Sequence, residues 1–274
     1  MRGLVIHKMT GSGNDFVFVD GRTVPASALS ADLIRALCAR GTGVGADGLI
    51  VLEPGSRAGA VRFHFFNNDG RRAEMCGNGA LCATRLAAWL GMAPAHAMVL
   101  ETDMGAVEAR CLEGPGERAE LTLPSTQPVH VPDIPLVDGE RSVHATVVGV
   151  PHLVVLVDDV RKAPVLERGR QLRSHPVVGE AGANVNFVSA EGQDGWSIRT
   201  FERGVEGETL ACGTGAVATA AALAVDGVIR LPWEVRTASG SVLGVAGDAG
   251  NGRRISAPRL SGEGRLVFRA VLGA

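Results

Sequence analysis

One short motif occurs twice in this chain, as Cys76-Gly77-Asn78-Gly79-Ala80 and as Cys212-Gly213-Thr214-Gly215-Ala216. Each copy runs into a small apolar segment, 81–90 and 217–225, that reads as a buried helix. Each is preceded at nearly the same distance by a phenylalanine and a polar turn, Phe66-Asn67-Asn68-Asp69-Gly70 and Phe201-Glu202-Arg203-Gly204. The pattern implies that one supersecondary unit has been made twice, with a thiol at the same place in both. Helix-terminal amides and the helix dipole make such a start an anion site, and they favour a thiolate. Glycine lets a ligand approach the backbone. Two such ends facing each other would hold one carboxylate on the amides of Gly77, Asn78, Gly213 and Thr214, with a sulfur on each side of the adjacent carbon.

The rest of the chain divides around these motifs. Strands are expected at 4–9, 16–20, 49–53, 61–66, 98–102, 107–112 and 119–123 in the first half. In the second they are expected at 144–150, 153–157, 184–188, 196–201, 235–237, 242–246, 254–257 and 265–271. Surface helices are expected after Ser30, an N-cap residue type, and over 165–173. The proline-rich stretch 124–135 marks a boundary. The expectation is therefore an α+β fold of two pseudo-symmetric halves, each a mainly antiparallel sheet wrapped around one central buried helix. The halves would be residues 1–123, joined by the last strand 264–274, and residues 124–263.

Composition excludes several classes. With 274 residues and 46% hydrophobic content the chain can bury a real core. A net charge of -2 gives no field for nucleic acid, and no apolar run is long enough to span a membrane. The five cysteines are odd in number and irregular in spacing, and no CxxC occurs, which points to reduced thiols in the cytoplasm and to no structural metal. Gly43-Val44-Gly45-Ala46-Asp47-Gly48 matches a dinucleotide fingerprint, but it follows a helix and not a strand. It reads as a turn. A nucleotide-binding oxidoreductase would also leave the paired cysteines unexplained.

The paired thiols suit a two-base reaction. One sulfur as thiolate removes a proton from carbon while the other, as thiol, returns one to the opposite face. Cys38, Cys82 and Cys111 lack this context and read as core filling. Pyridoxal chemistry would need a Schiff-base lysine, and Lys8 and Lys162 are the only lysines. Neither lies beside a phosphate loop, so the expected mechanism uses no cofactor.

Seven separated motifs occur in one order: Gly11-Ser12-Gly13-Asn14-Asp15-Phe16, Gly45-Ala46-Asp47-Gly48, Phe66 to Gly70, Met75 to Gly79, Pro151-His152, Asn184-Val185-Asn186-Phe187, and Glu202 through Gly215. Over nearly the whole chain this set resembles the diaminopimelate epimerase family. The resemblance implies an active site in a cleft between two similar halves, no cofactor, a homodimer, and interconversion of L,L- and meso-diaminopimelate for lysine and cell-wall synthesis. It implies Cys76 and Cys212 as the two bases and His152 and Glu202 as accessory polar groups. Asn14, Asn67, Asn184 and Arg203 would hold the substrate, with Arg203 on the distal carboxylate. Two positions depart from the pattern. Val150 stands where many members have asparagine before Pro-His, and Gly48 where some have glutamine. Val150 opens the alternative of a two-thiol racemase for another amino acid, histidine- or proline-like.

Overall fold

The computed structural model describes residues 2–114, 116–192, 195–250 and 252–273. The chain forms two compact units, Met1–Leu121 with Ser261–Ala274, and Thr122–Leu260. The first unit runs β1 (Val5–Gly11), β2 (Asn14–Asp20), α1 (Ala31–Cys38), β3 (Gly48–Pro54), β4 (Ala60–Asn67), β5 (Arg72–Ala73), α2 (Gly77–Trp89), β6 (Met98–Thr102), β7 (Gly105–Cys111) and β8 (Arg118–Thr122). Ser30 caps α1 as its residue type predicts, its hydroxyl accepting from the Leu33 amide at 3.3 Å. The second unit repeats that order as β9 (Glu140–Val148), β10 (Val150–Val157), α3 (Val165–Arg173), β11 (Asn184–Glu191), β12 (Gly195–Glu202), β13 (Gly207–Thr209), α4 (Gly213–Val225), β14 (Trp233–Arg236), β15 (Val242–Asp248) and β16 (Ser256–Glu263). A last strand, β17 (Arg265–Val271), pairs antiparallel with β1.

The pairings repeat as well. β2 lies parallel to β3 and β3 antiparallel to β4; likewise β10 lies parallel to β11 and β11 antiparallel to β12. Within each unit the strands surround one helix. α2 packs on β1, β2, β3, β4, β6, β7 and β17, and α4 on β9, β10, β11 and β15. Both helices are rich in glycine and alanine. In α4 Gly213 and residues 215–223 are buried without interruption. Among the described residues no helix is long and apolar enough to cross a membrane, and no cluster of side chains is arranged to hold a metal ion.

Four local expectations are corrected. The central helices begin at Gly77 and Gly213, directly after the cysteines, because the small residues between cysteine and apolar run continue the helix. Two short strands, β5 and β13, lie in the segments that lead to each cysteine. Only Gly149 forms the turn between β9 and β10. Its φ of 71° sets Val148 opposite Val150, so Val150, Pro151 and His152 belong to the strand. Pro151 is tolerated there because the pairing with β11 starts one residue later, at His152. The strand expected at 254–257 runs instead as Ser256–Glu263.

Candidate active site

In the first unit β5 delivers Cys76 to the N-terminus of α2. Cys76 is the N-cap, with extended backbone (φ −135°, ψ 120°), and its carbonyl accepts from the Ala80 amide at 2.8 Å. Asn78, in the first turn, donates through Nδ2 to Asn14 Oδ1 at 2.7 Å. Asn14 donates in turn through Nδ2 to Asp47 Oδ2 at 2.9 Å. A carboxylate only accepts, so the donors run in one direction, Asn78 to Asn14 to Asp47. Asp47 Oδ1 is held by Arg40 at 2.7 Å, and its carbonyl accepts from the Asn68 amide at 3.2 Å. The turn containing Asn67 is thereby tied to the same residue; Asn67 itself ends β4, exposed and opposite Gly48.

Behind Asp47, Asp15 accepts from Arg40 and from Lys8, each at 2.6 Å, and Lys8 also donates to the Gly45 carbonyl. Burial pushes the Asp15 carboxyl up, but the hydrogen bonds from Arg40 and Lys8 outweigh it and hold the carboxyl below its usual range. Lys8 is thus committed to an ion pair. The glycine-rich run is a turn packed on α1. A β-carbon at Gly43 would lie 2.1 Å from the Ala36 carbonyl, and Gly45 has φ 77°. A side chain at Gly48 would meet the ring of Phe65 at 2.6 Å, which explains glycine at this departure from the family pattern.

The second unit places Cys212 in the same conformation (φ −129°, ψ 109°) as the N-cap of α4, with its carbonyl accepting from Ala216 at 3.0 Å. Here the sulfur itself accepts from the Gly215 amide at 3.4 Å and lies 3.6 Å from the Thr214 hydroxyl. His152 on β10 is buried and in register with Asn184 on β11. Burial, with the Arg203 charge adding to it, lowers the His152 pKa to about 3, so its imidazole is neutral. Asn184 Oδ1 accepts from the Arg203 amide at 2.8 Å and fixes the turn after β12. The Arg203 guanidinium donates to the Ala181 carbonyl at 3.3 Å. Glu206 and Glu208 are taken by Arg173 and Arg199, which leaves Arg203 without a carboxylate partner among the described residues. Glu202, half-buried, closes β12 opposite Gly207.

The anticipated residues therefore gather in two sets, Asn14, Asn67, Gly77 and Asn78 with Cys76, and His152, Asn184, Glu202, Arg203, Gly213 and Thr214 with Cys212. Two further residues join them. Asp47 organises the first set, and Asn186 packs beneath α4 in the second. Both lie inside motifs legible in the sequence, but spacing alone assigns neither a partner. Of the remaining thiols, Cys38 and Cys82 are buried in the core and Cys111 is half-buried. Burial pushes Cys38 up to about 11 and raises Cys82 and Cys111.

A sequence profile described as diaminopimelate epimerase matches residues 6–119 and 144–254. The chain belongs to the diaminopimelate epimerase family. It is 45% identical over 272 residues to a diaminopimelate epimerase of Gemmatimonas aurantiaca, covering 97% of this chain and 98% of that one. It is 41% identical over 247 residues to that of Aquifex aeolicus, covering 86% and 87%. Among solved structures it resembles a Bacillus anthracis phenazine biosynthesis protein of the PhzF family, with TM-score 0.77, 14% identity and full coverage of both chains. It also resembles a probable proline racemase from Agrobacterium radiobacter, with TM-score 0.70, 19% identity, and coverage of 98% and 93%. At such identities these two show the fold alone, an α+β architecture shared by several proteins.

Proposed function

We propose that this chain is a diaminopimelate epimerase, an isomerase that inverts one α-carbon of diaminopimelate between the L,L and meso forms, with Cys76 and Cys212 as its two proton-transfer groups. The observation that carries the mechanism is the repeated placement of a cysteine at the N-cap of a buried helix. Relatives at 35–45% identity that bear the diaminopimelate epimerase name support the substrate. The histidine- or proline-like alternative has Val150 and the fold in its favour, and none of these relatives bears such a name. In this reading one thiolate takes the α-proton while the other thiol delivers a proton to the opposite face, and the roles exchange in reverse. The first-turn amides of α2 and α4, at Gly77, Asn78, Gly213 and Thr214, would hold the α-carboxylate and the charge that develops on it. No group beyond these side chains is required to move the proton.

Asn14, Asn67 and Asn184 would orient the substrate, with His152 and Glu202 beside the reacting centre. Arg203 would take the distal carboxylate, a role supported by a guanidinium that has no carboxylate partner among the described residues. Val150 removes one polar side chain from that end, so more of the recognition falls on Arg203. A homodimer and a cytoplasmic location belong to the same reading. The exposed apolar side chains of Val267, Phe268 and Val271 on β17 fit a strand covered by a second copy.

The test is turnover of L,L-diaminopimelate by the purified, reduced protein, with proline and histidine in parallel. Inversion of diaminopimelate alone is expected, with Arg203→Ala raising KM about tenfold to a hundredfold, as loss of a hydrogen bond to a charged group implies. Inversion of proline or histidine alone would overturn the substrate.

A further inference from the structure

We infer that Asn186 is a positioning residue that fixes His152 as a neutral imidazole with its proton on Nε2, so that His152 serves the reaction as a hydrogen-bond donor and not as an acid or base. The inference rests on the reading of His152 as a site residue given above.

Three contacts decide the orientation of Asn186, which is fully buried. Its Nδ2 donates to the Leu153 carbonyl at 2.9 Å and lies 3.2 Å from His152 Nδ1. Its Oδ1 accepts from the Thr200 hydroxyl at 3.0 Å. A carbonyl can only accept, so the amide nitrogen is the end that faces β10. That nitrogen carries two hydrogens. Leu153 takes one and His152 Nδ1 takes the other. Nδ1 is then an acceptor and carries no proton of its own. A neutral imidazole has one N–H, and it must be at Nε2. Arg203 is the charged group acting on the ring, and it opposes a second proton, as burial does.

His152 Nε2 is buried and has no partner among the described residues. A buried donor left without a partner is unfavourable. An acceptor atom of a ligand, a carboxylate oxygen or an amine lone pair, would complete it.

The first unit shows that the scaffold does not need this arrangement. Strand pairing places Phe16 and Ile50 where His152 and Asn186 stand in the second unit. A β-carbon at Gly79 would lie 2.8 Å from Ile50 Cδ1, as one at Gly215 would lie 2.2 Å from Asn186 Oδ1. An apolar pair is enough to support a helix start. The polar set of His152, Asn186 and Thr200 is confined to one of the two copies, under the turn that carries Cys212.

Nitrogen-15 shifts of the His152 ring, assigned with a His152→Gln variant, test the inference in the full-length protein. From about pH 5 to about pH 8, Nε2 is expected to resonate as a protonated nitrogen and Nδ1 as an unprotonated one. In Asn186→Asp the carboxylate accepts from the ring, so the proton should move to Nδ1 and kcat/KM should fall at least about tenfold, chiefly in kcat. Thr200→Val, a milder change, should loosen the same contact and shift the same resonances with a smaller loss. A wild-type ring protonated on Nδ1 would overturn the inference. So would an Asn186→Asp protein that keeps both the Nε2 proton and a kcat/KM within about twofold of wild type. Failure of the wild-type protein to invert diaminopimelate would instead overturn the functional reading, while the nitrogen shifts would still decide the tautomer.

Discussion

The N-terminus of α2 and that of α4 share one backbone and differ in what lies beneath it. Both start on an extended cysteine followed by Gly-x-Gly, and both receive that cysteine from a short strand. Under α2 the support is apolar, Phe16 and Ile50, and the polar groups reach the helix from the side through Asn78, Asn14 and Asp47. Under α4 the support is itself polar, His152, Asn186 and Thr200, and the Cys212 sulfur accepts from the Gly215 amide. The repeat thus puts the two thiols at equivalent positions, in different surroundings. Chemistry that treats two faces of one carbon needs equivalent placement. Substrate that is not symmetric about that carbon needs unequal neighbours.

The largest effect should come from the residues the two ends share. Cys76→Ser and Cys212→Ser should each lower kcat by about 10²–10⁴-fold, as expected for loss of a positioned proton-transfer group. A loss in one variant and near-wild-type kcat in the other, measured by loss of optical rotation, would break the comparison and reduce the mechanism to one base.

The glycines give an effect of intermediate size. Gly215→Ala drives a methyl onto the buried Asn186 amide, at 2.2 Å, whereas the tightest contact of Gly79→Ala is the terminal Cδ1 of Ile50, at 2.8 Å. Overpacking costs about 1–3 kcal/mol, so Gly79→Ala should fall near the lower end and Gly215→Ala near or above the upper. Chemical denaturation of the two variants would reverse the assignment of rigid and yielding supports if Gly79→Ala proved the more damaging.

The smallest effect is in pH. The folded pKa of His152 lies at about 3, below its unfolded value. As pH falls below about 6.5 the unfolded chain takes up a proton that the folded chain refuses, so stability is lost on the acid side. The contribution is about 1.4 kcal/mol at about pH 5.5. His152→Phe, which copies Phe16, should flatten that part of the profile. An unchanged acid slope would mean that other groups cause it.

Much of this was legible in the sequence. The paired cysteines, their helices and the strands around them follow from motif and periodicity, which are local properties. Ser30 and the strand residues 98–102 and 265–271 needed nothing else. What spacing could not supply was partnership. Asp47 is 33 residues from Asn14, and Asn186 is 34 from His152; only strand pairing brings them into contact. The break expected between the strands at 144–150 and 153–157 lies elsewhere for a related reason. Pro151 suggests a break, but the pairing of β10 starts late enough on one side to accommodate it.

The central claim, that two thiols act on opposite faces of one α-carbon, is tested most directly by deuterium. L,L-diaminopimelate is incubated with the reduced protein in D2O and examined at low conversion. Two separate bases return the abstracted proton only to the face it left, so the meso product should carry deuterium while recovered L,L substrate remains protonated. Deuterium appearing in the L,L substrate as fast as in the product would contradict the account.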